Sequence, residues 1–459
     1  MFSIFNTHRM SVTKQLSFSF LVVIFIGSLL LSLPIAHYHN APATTYLDHL
    51  FTAVSMVCVT GLSVFPVAEV YNGFGQVISM FLMQIGGLGL VTLISISYFV
   101  LNRKMSLRDQ NLLQSAITYG SANNLKSYLF TIYRVTLIIE SICALLLMID
   151  FIPRYGLSHG ICNSLFLAIS AFCNAGFDNL GGSSLQHFQT NTLVNLVIAF
   201  LIISGGLGFM VWRDLYHAAR HFFRSKPRRL RAFAKQLNNH TLLVLETTAV
   251  LLILGTALSW LLEASNPKTI GQLSLAKQGL VSFFQTVTMR TAGFSTINYA
   301  QAENSTNLVY IIQMMIGGSP GGTAGGMKVT VVAVLFLLLK SEVRGQTQVT
   351  YRFRTVPRKI IRQTLVILIF FFSVLLTAYL LLLEFEPHLS PFALFFEATS
   401  ALATVGVSMD ITTKLSTVGR IIIMVLMFIG RVGPITVIMA LLQNRRREVT
   451  YAKTDIILG

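Results

Sequence analysis

The sequence predicts an all-α integral membrane protein of four M1–pore-helix–M2 repeats around a pseudo-fourfold central pore. Three observations carry this expectation. Of the 459 residues, 54% are hydrophobic and only 11% charged, and the mean hydropathy is +0.68. A soluble chain of this length needs more polar residues to cover its surface. Apolar runs of about 20 residues recur at 16–36, 193–212, 241–262 and 360–383, each long enough to cross a hydrocarbon core of roughly 30 Å. The chain also repeats itself.

The repeat appears when the chain is laid against itself. The segments Phe51 to Gly61, Phe166 to Gly176, Phe283 to Gly293 and Phe396 to Gly406 align without gaps, and their closing glycines are almost evenly spaced along the chain. A second glycine signal follows each at a similar interval: Gly86-Gly87, Gly205-Gly206, Gly317-Gly318 and Gly430. The expected units are 1–105, 106–225, 226–345 with a broken second span, and 346–459 with a C-terminal tail. In each, a first span long enough to cross a bilayer leads to a polar stretch. An apolar segment of about 10–13 residues then ends at the glycine, too short to cross, so it enters and leaves by one face. A second span returns. Interfacial helices or distorted spans would not explain why all four short segments end in glycine.

The net charge of +17 would point to nucleic acid in a soluble chain. Here 26 of the 34 Lys and Arg fall in five blocks, at 9–14, 103–134, 213–235, 340–362 and 445–453. Positive-inside logic places these blocks, and both termini, in the cytoplasm of a multi-pass cell-membrane protein that binds no nucleic acid. Residues 213–235 read as an anchor facing lipid or a partner. Residues 16–36 are too long for a signal-peptide core and serve as the first span. Cys58, Cys143, Cys162 and Cys173 lie in or beside apolar segments without metal-ligand spacing and read as reduced packing residues.

The short segments end in Thr60-Gly61-Leu62-Ser63, Asn174-Ala175-Gly176-Phe177, Thr291-Ala292-Gly293-Phe294 and Thr404-Val405-Gly406-Val407. Non-helical backbone at membrane depth is tolerated only where it lines a cavity or is buried in protein. A dehydrated cation can satisfy its carbonyls. Glycine reaches φ > 0, which lets neighbouring carbonyls turn toward one axis, and helix C-termini pointing inward favour a cation. Val59, Thr60 and Gly61, with Asn174, Ala175, Gly176, Thr291, Ala292, Gly293, Thr404, Val405 and Gly406, are therefore the candidate ion-binding positions. Asp178, Asp410 and Glu69 follow these segments, and Asp48 and Glu397 sit near short-helix starts. Such acids would concentrate cations at a mouth, although solvated loop acids are an equal reading.

The second span of the third unit is abnormal. Residues 307–339 would form a helix of about 50 Å, but Gly317, Gly318, Pro320, Gly321, Gly322, Gly325 and Gly326 interrupt it. Broken helices at membrane depth mark pathways. A phosphate loop fails on spacing, because Met327 separates Gly326 from Lys328. Arg431 falls in the middle of the apolar run 417–442, where a charge faces a polar interior or holds helix carbonyls. Arg290 reads as a brace behind the third loop. Glu140 and Glu246 read as packing or interfacial groups rather than proton relays.

Together, the repeat, the four glycine loops and the glycine run of the third unit resemble the superfamily of Trk, Ktr and HKT potassium transporters. The likeness covers nearly the whole chain, and its length is most similar to the membrane subunit of bacterial Ktr systems. Glycine at all four loop positions, Gly61 included, resembles the potassium-selective members; sodium-selecting relatives carry Ser in the first loop. The resemblance implies potassium uptake through a four-loop selectivity filter and no enzymatic activity, and it leaves open sodium as an activator or coupling ion. It implies a gate of intramembrane loop 317–327 and Arg431, to which Lys328 would add charge. It also implies a homodimer on a separate cytoplasmic ring that binds nucleotides, for which 213–235 would be a docking surface. Against a twelve-span carrier of another small solute stand the four short segments. A voltage-gated channel would need a helix with regularly spaced arginines, and a primary pump an ATPase domain.

Overall fold

Apolar segments in hydrocarbon must satisfy their own backbone, and helices do so within one segment. The computed structural model describes residues 12–89, 125–224 and 236–433. The first quarter contains α1 (Val12–Leu31), α2 (Tyr46–Cys58) and α3 (Gly73–Leu88). The second contains α4 (Leu125–Tyr155), α5 (Leu157–Cys173), α6 (Thr192–Gly206) and α7 (Phe209–Arg224). The third contains α8 (Asn239–Glu263), α9 (Leu275–Thr288), α10 (Asn304–Met315) and α11 (Val329–Val343). After a two-residue hairpin of β1 (Thr350–Tyr351) and β2 (Arg354–Thr355) come α12 (Arg358–Phe385), α13 (Pro391–Ala403) and α14 (Thr417–Val432).

Each quarter thus runs long helix, short helix, second helix. The long α8 and α12, of 25 and 28 residues, exceed what a bilayer core requires. Their outer faces are apolar and open, with Ile253 69% and Ile369 65% exposed, as is Ile149 of α4 at 63%. Surfaces of this kind are stable against hydrocarbon rather than water. Of the basic blocks, residues 9–11, 103–124, 225–235 and 445–453 lie outside the described residues, as does 434–442 of the run 417–442.

The quarters close into a ring through one repeated contact. The second helix of each packs on the short helix of the next: α3 on α5, α6 on α9, α10 on α13, and α14 back on α2. A second device fixes each hairpin at the face where the short helices begin. Glu386, buried at the end of α12, accepts from the Ser416 N–H (2.9 Å) and hydroxyl (2.5 Å) at the N-cap of α14. Glu263 at the end of α8 accepts from the N–H of Glu303, the N-cap of α10 (3.3 Å). Asp150 of α4 accepts from the side chain of Asn191, the N-cap of α6 (2.8 Å). In the first quarter Asn72, the N-cap of α3, donates to the carbonyls of Ile35 and His37 (2.8 and 3.0 Å).

Three expectations need correction. The short helices have 13, 17, 14 and 13 residues, so two of them are longer than expected. The first turns of α5 and α9 carry Ser158, His159, Lys277 and Gln278, so an apolar count misses helical residues. The longest rises about 26 Å and still cannot cross. Second, the run 193–212 is not one span: α6 and α7 meet at 99°. Gly208 at φ 86° makes the bend, and the Phe209 N–H donates to the Gly321 carbonyl (3.1 Å) instead of completing a helix. Third, Arg431 lies in the last turn of α14, not in mid-helix, because Gly433 at φ 88° ends the described helix.

The hairpin staple yields the first prediction. Glu386→Ala removes a buried carboxylate and the two hydrogen bonds it accepts from the exposed Ser416, and lowers stability by about 1–3 kcal/mol. Glu384→Ala, on an exposed position, leaves it unchanged. Thermal unfolding in detergent checks both, and equal midpoints for the two variants would refute the role of the staple.

Candidate functional site

The C-termini of α2, α5, α9 and α13 converge, and the chain beyond each turns sharply. The residue two before each glycine is left-handed: Val59 (φ 57°), Asn174 (57°), Thr291 (66°) and Thr404 (53°). The glycines follow at 105°, 71°, 89° and 95°, and the residues between them do not share the positive φ. Alternating handedness turns consecutive carbonyls to one side, a backbone available cheaply only to glycine at its second step. The four loops meet in cyclic order. A Cβ built on Gly61 would lie 2.9 Å from the Ala175 oxygen, one on Gly176 2.7 Å from Ala292, and one on Gly293 2.7 Å from Val405. One on Gly406 would run into the Thr60 oxygen. The candidate residues of all four loops are therefore brought together around one axis, with the backbone oxygens of Thr60, Ala175, Ala292 and Val405 on the ring.

Side chains behind the ring hold each loop. In three quarters a serine of the short helix accepts from the loop backbone: Ser55 from Gly61 N–H (3.1 Å), Ser170 from Phe177 N–H (3.0 Å) and Ser400 from Gly406 N–H (3.0 Å). Sequence reasoning passed over these serines, although they occupy one column of the repeat, four residues after each Phe. The third quarter has Val287 there and uses other groups. Thr288 donates to the Phe294 carbonyl (2.7 Å), while Tyr299 donates to Gln285 (2.5 Å), which donates to Thr296 (2.7 Å). The Thr60 and Thr404 hydroxyls are buried and lack a partner, so each leaves an oxygen available to a ligand.

The second glycine signal has its own geometric reason. A Cβ on Gly86, Gly205 or Gly430 would strike the carbonyl of Val57, Phe172 or Leu402, each four residues before its loop glycine. These glycines let α3, α6 and α14 pass directly beside the end of the short helix in their own quarter.

In the third quarter residues 316–328 replace helix with an irregular loop between α10 and α11. The loop is tied at its base, where Gly317 N–H donates to Met327 O (2.8 Å) and Val329 N–H to Gly318 O (2.9 Å). It lies directly against the ring: Gly325 N–H donates to Thr291 Oγ1 (3.2 Å), and a Cβ on Gly326 would sit 3.1 Å from Ala403 O. A Cβ on Gly325 would overlap the Thr404 hydroxyl. On the α6 side, Ser319 and Thr323 N–H groups donate to Gly206 and Gly205 (2.8 and 3.1 Å), and Gly322 passes 2.9 Å (as a built Cβ) from Gly205 O. Lys328 Nζ donates to Ala324 O (2.7 Å).

Arg431 joins three quarters. It donates to Thr323 O of the loop (2.5 Å), and to Gly86 O and Gly87 O (3.0 Å for the latter) at the end of α3. The carbonyl acceptors on α3 could not be foreseen from the sequence, since any residue carries a carbonyl. Arg290 is buried behind the third loop and reaches Thr248 of α8 (3.4 Å). Glu140 packs against Gln84 (3.4 Å), and Glu246 pairs with Arg352.

The acids divide. Asp410 accepts from Asn298 (2.8 Å), Asp178 from the Leu180 N–H (3.1 Å), and Glu69 lies on a single helical turn at 67–70. Asp48 is engaged in an ion pair with Arg420 (2.6 Å) that links α2 to α14. Glu397 is a correction: it lies in the middle of α13, fully buried, accepting from Thr412 (2.5 Å). The helix begins at Pro391, earlier than its position suggests.

Residues 5–446 match the TrkH family, described as cation transport protein. The chain is 34% identical over 459 residues to the potassium/sodium uptake protein NtpJ of Enterococcus hirae, covering 98% of each. It is 34% identical to the Ktr system potassium uptake protein B of Bacillus subtilis, covering 98% of this chain and 97% of that one. Its fold is similar to the crystal structure of the potassium transporter TrkH from Vibrio parahaemolyticus. The TM-score is 0.71 at 18% identity, over 95% of this chain and 86% of the other.

The crowding at the axis is testable by comparing two glycines of positive φ. Gly406→Ala meets both backbone strain and the Thr60 carbonyl, whereas Gly156→Ala meets strain alone, with open space around it. Strain at such a site costs about 1–3 kcal/mol, so Gly406→Ala should lower the unfolding midpoint further than Gly156→Ala. Equal effects would show that the loops do not touch.

Proposed function

The chain belongs to the TrkH family of cation transport proteins, and from that premise we propose that it takes potassium ions up across the cell membrane. The observation that carries this reading is the closed ring of loops, each giving a backbone oxygen toward the glycine of the loop before it. Carbonyl oxygens fixed in number and direction replace the hydration shell of a cation, and water supplies no better partner in so narrow a space. The inward C-termini of α2, α5, α9 and α13 add partial negative charge. The choice of potassium is supported by the relatives named as potassium uptake proteins, and by glycine in all four loops. Sodium enters as a second ion, transported or activating, as the name of the Enterococcus relative allows.

Loop 317–327 acts as the gate. It occupies the space against Thr291 and Thr404, where α9 and α13 end. Arg431 places a positive charge there and holds the loop by its Thr323 carbonyl; Lys328, tied to Ala324, adds a second. A guanidinium in a low-dielectric path repels a cation strongly. The four units 1–105, 106–225, 226–345 and 346–459 each give the pore one loop. The basic blocks face the cytoplasm with both termini. The chain works as a homodimer on a nucleotide-binding cytoplasmic subunit, and of this the relatives named as parts of a Ktr system support a further component. Size-exclusion light scattering in lipid nanodiscs tests the dimer, and a monomeric mass would end that part.

The decisive experiment is potassium-dependent growth of a bacterium lacking its own uptake systems. Growth at low potassium is expected on expressing this chain, and its failure with folded protein present in the membrane would overturn the reading. Gly61→Ser crowds the ring near Ala175 O and restricts its backbone. It should lower potassium-over-sodium selectivity severalfold; unchanged relative uptake of the two ions would remove the filter assignment.

Arg431→Ala and a shortened loop should each raise resting potassium leak per folded molecule. Their effects should fall short of additive when combined, because both act on one barrier. Leak at or below the unmodified level in both variants would sink the gate.

A further inference from the structure

Helix α7 is built differently from the spans. It leaves α6 at 99°, and Asp214 is bonded to Asn238 at the start of α8, so α7 lies at the face opposite the one where the short helices begin and runs along the membrane surface there. Two neighbouring stripes follow the spacing i, i+4, i+7, i+11. Arg213, His217, Arg220 and Arg224 form one; Trp212, Tyr216, Ala219 and Phe223 form the next. A third face, through Val211, is buried with Val244 of α8 and Val329 of α11. Trp212 packs against that cluster and donates to Ser204 O (2.8 Å), but further along the stripe Tyr216 is 60% and Phe223 68% exposed. His217, Arg220, His221 and Arg224 border an open surface groove of about 390 Å³. The nearby acid, Asp214, is spent elsewhere, accepting from the N–H and side chain of Asn238 (both 2.8 Å).

We propose that the basic stripe of α7 holds the phosphate of an anionic phospholipid, and that this lipid steadies the glycine loop through the α6–α7 bend. Arginines supply charge and forked donors to the phosphate. Tyr216 and Phe223, on the adjoining stripe, enter the boundary between headgroups and acyl chains, where aromatic rings are favoured. An acidic partner protein would bind the arginines but gives no reason for the exposed rings of Tyr216 and Phe223 beside them. The link to the loop is direct. At the bend, Phe209 N–H donates to Gly321 O, and Ser319 and Thr323 N–H groups donate to Gly206 and Gly205. A lipid that fixes α7 to the surface fixes this bend, and with it the loop whose Thr323 carbonyl Arg431 grips. The second half rests on the gate reading above; the lipid site does not.

The test uses the purified full chain and has two independent readouts. In native mass spectrometry, phosphatidylglycerol should be retained and phosphatidylcholine lost. Arg220→Gln should reduce retention about fivefold and Arg220→Gln with Arg224→Gln roughly twentyfold, while Arg220→Lys keeps most of it. Equal retention of both lipids, or of phosphatidylglycerol in the double variant, would overturn the site. So would glycerol phosphate binding as tightly as the lipid, which marks a free-anion site. A double variant that keeps phosphatidylglycerol but loses an acidic cytoplasmic partner would make the stripe a protein-docking face, which also overturns the proposal. In vesicles, the unmodified chain should leak more potassium in phosphatidylcholine alone than with phosphatidylglycerol, and the double variant should leak equally in both. Retention lost with leak unchanged refutes the coupling, provided that Arg431→Ala raises leak. If Arg431→Ala does not, it is the gate reading that fails, and retention still decides the lipid site.

Discussion

Four segments of one chain can reach a common axis only where they carry no side chain. Gly61, Gly176, Gly293 and Gly406 meet that requirement, and each faces a carbonyl of the adjoining loop at a distance that excludes a Cβ. Much else follows from this crowding. The short helices must end where the loops begin, so their last carbonyls lie close to the second helices. Those helices in turn carry Gly86, Gly205 and Gly430 at the point of passage. The left-handed residues Val59, Asn174, Thr291 and Thr404 are the strain accepted to turn the backbone there. Hydrogen bonds from the loop backbone to Ser55, Ser170 and Ser400 hold three of the turns in place.

The fourfold pattern is broken in one quarter, and the break is informative. The third quarter has no serine in the shared column and substitutes Thr288, Gln285 and Tyr299. Its second helix has no glycine passing the short-helix end; the irregular loop 316–328 fills that place and lies against the ring. An irregular loop at this depth requires partners for its backbone, and the neighbouring quarters and its own filter loop provide them. Gly205 and Gly206 accept its N–H groups, Thr291 accepts another, and Arg431 takes the Thr323 carbonyl. The loop is thus held by several replaceable hydrogen bonds rather than by a helix, which is the structural basis for proposing that it moves.

Around this centre the structure spends polarity sparingly. Acids at the far ends of α4, α8 and α12 are committed to the N-caps of the second helices. Asp48 and Arg420 join the first and last quarters. Each fixes the angle of a hairpin whose outer face, open and apolar, has only hydrocarbon to pack against. Helix α7 carries a basic stripe with the exposed rings of Tyr216 and Phe223 beside it.

The sequence by itself determined the class, the fourfold repeat, the position of every ring glycine and the broken helix of the third quarter. These are legible because span length and glycine placement are local properties, repeated four times in register. It also located Arg431, since a charge in an apolar run is conspicuous. It could not determine what Arg431 holds, because its acceptors are carbonyls of Thr323, Gly86 and Gly87, which no residue type announces. The bend after Gly206 was hidden for a related reason: the run 193–212 is apolar enough to continue, and it turns at Gly208 where the Phe209 N–H is taken by the Gly321 carbonyl of the adjoining quarter. Burial of Glu397 inside α13 was likewise invisible, since the helix starts at Pro391, earlier than the spacing to its loop implied. Hydrogen bonds to distant backbone depend on how the quarters close on one another, and only the tertiary structure decides that.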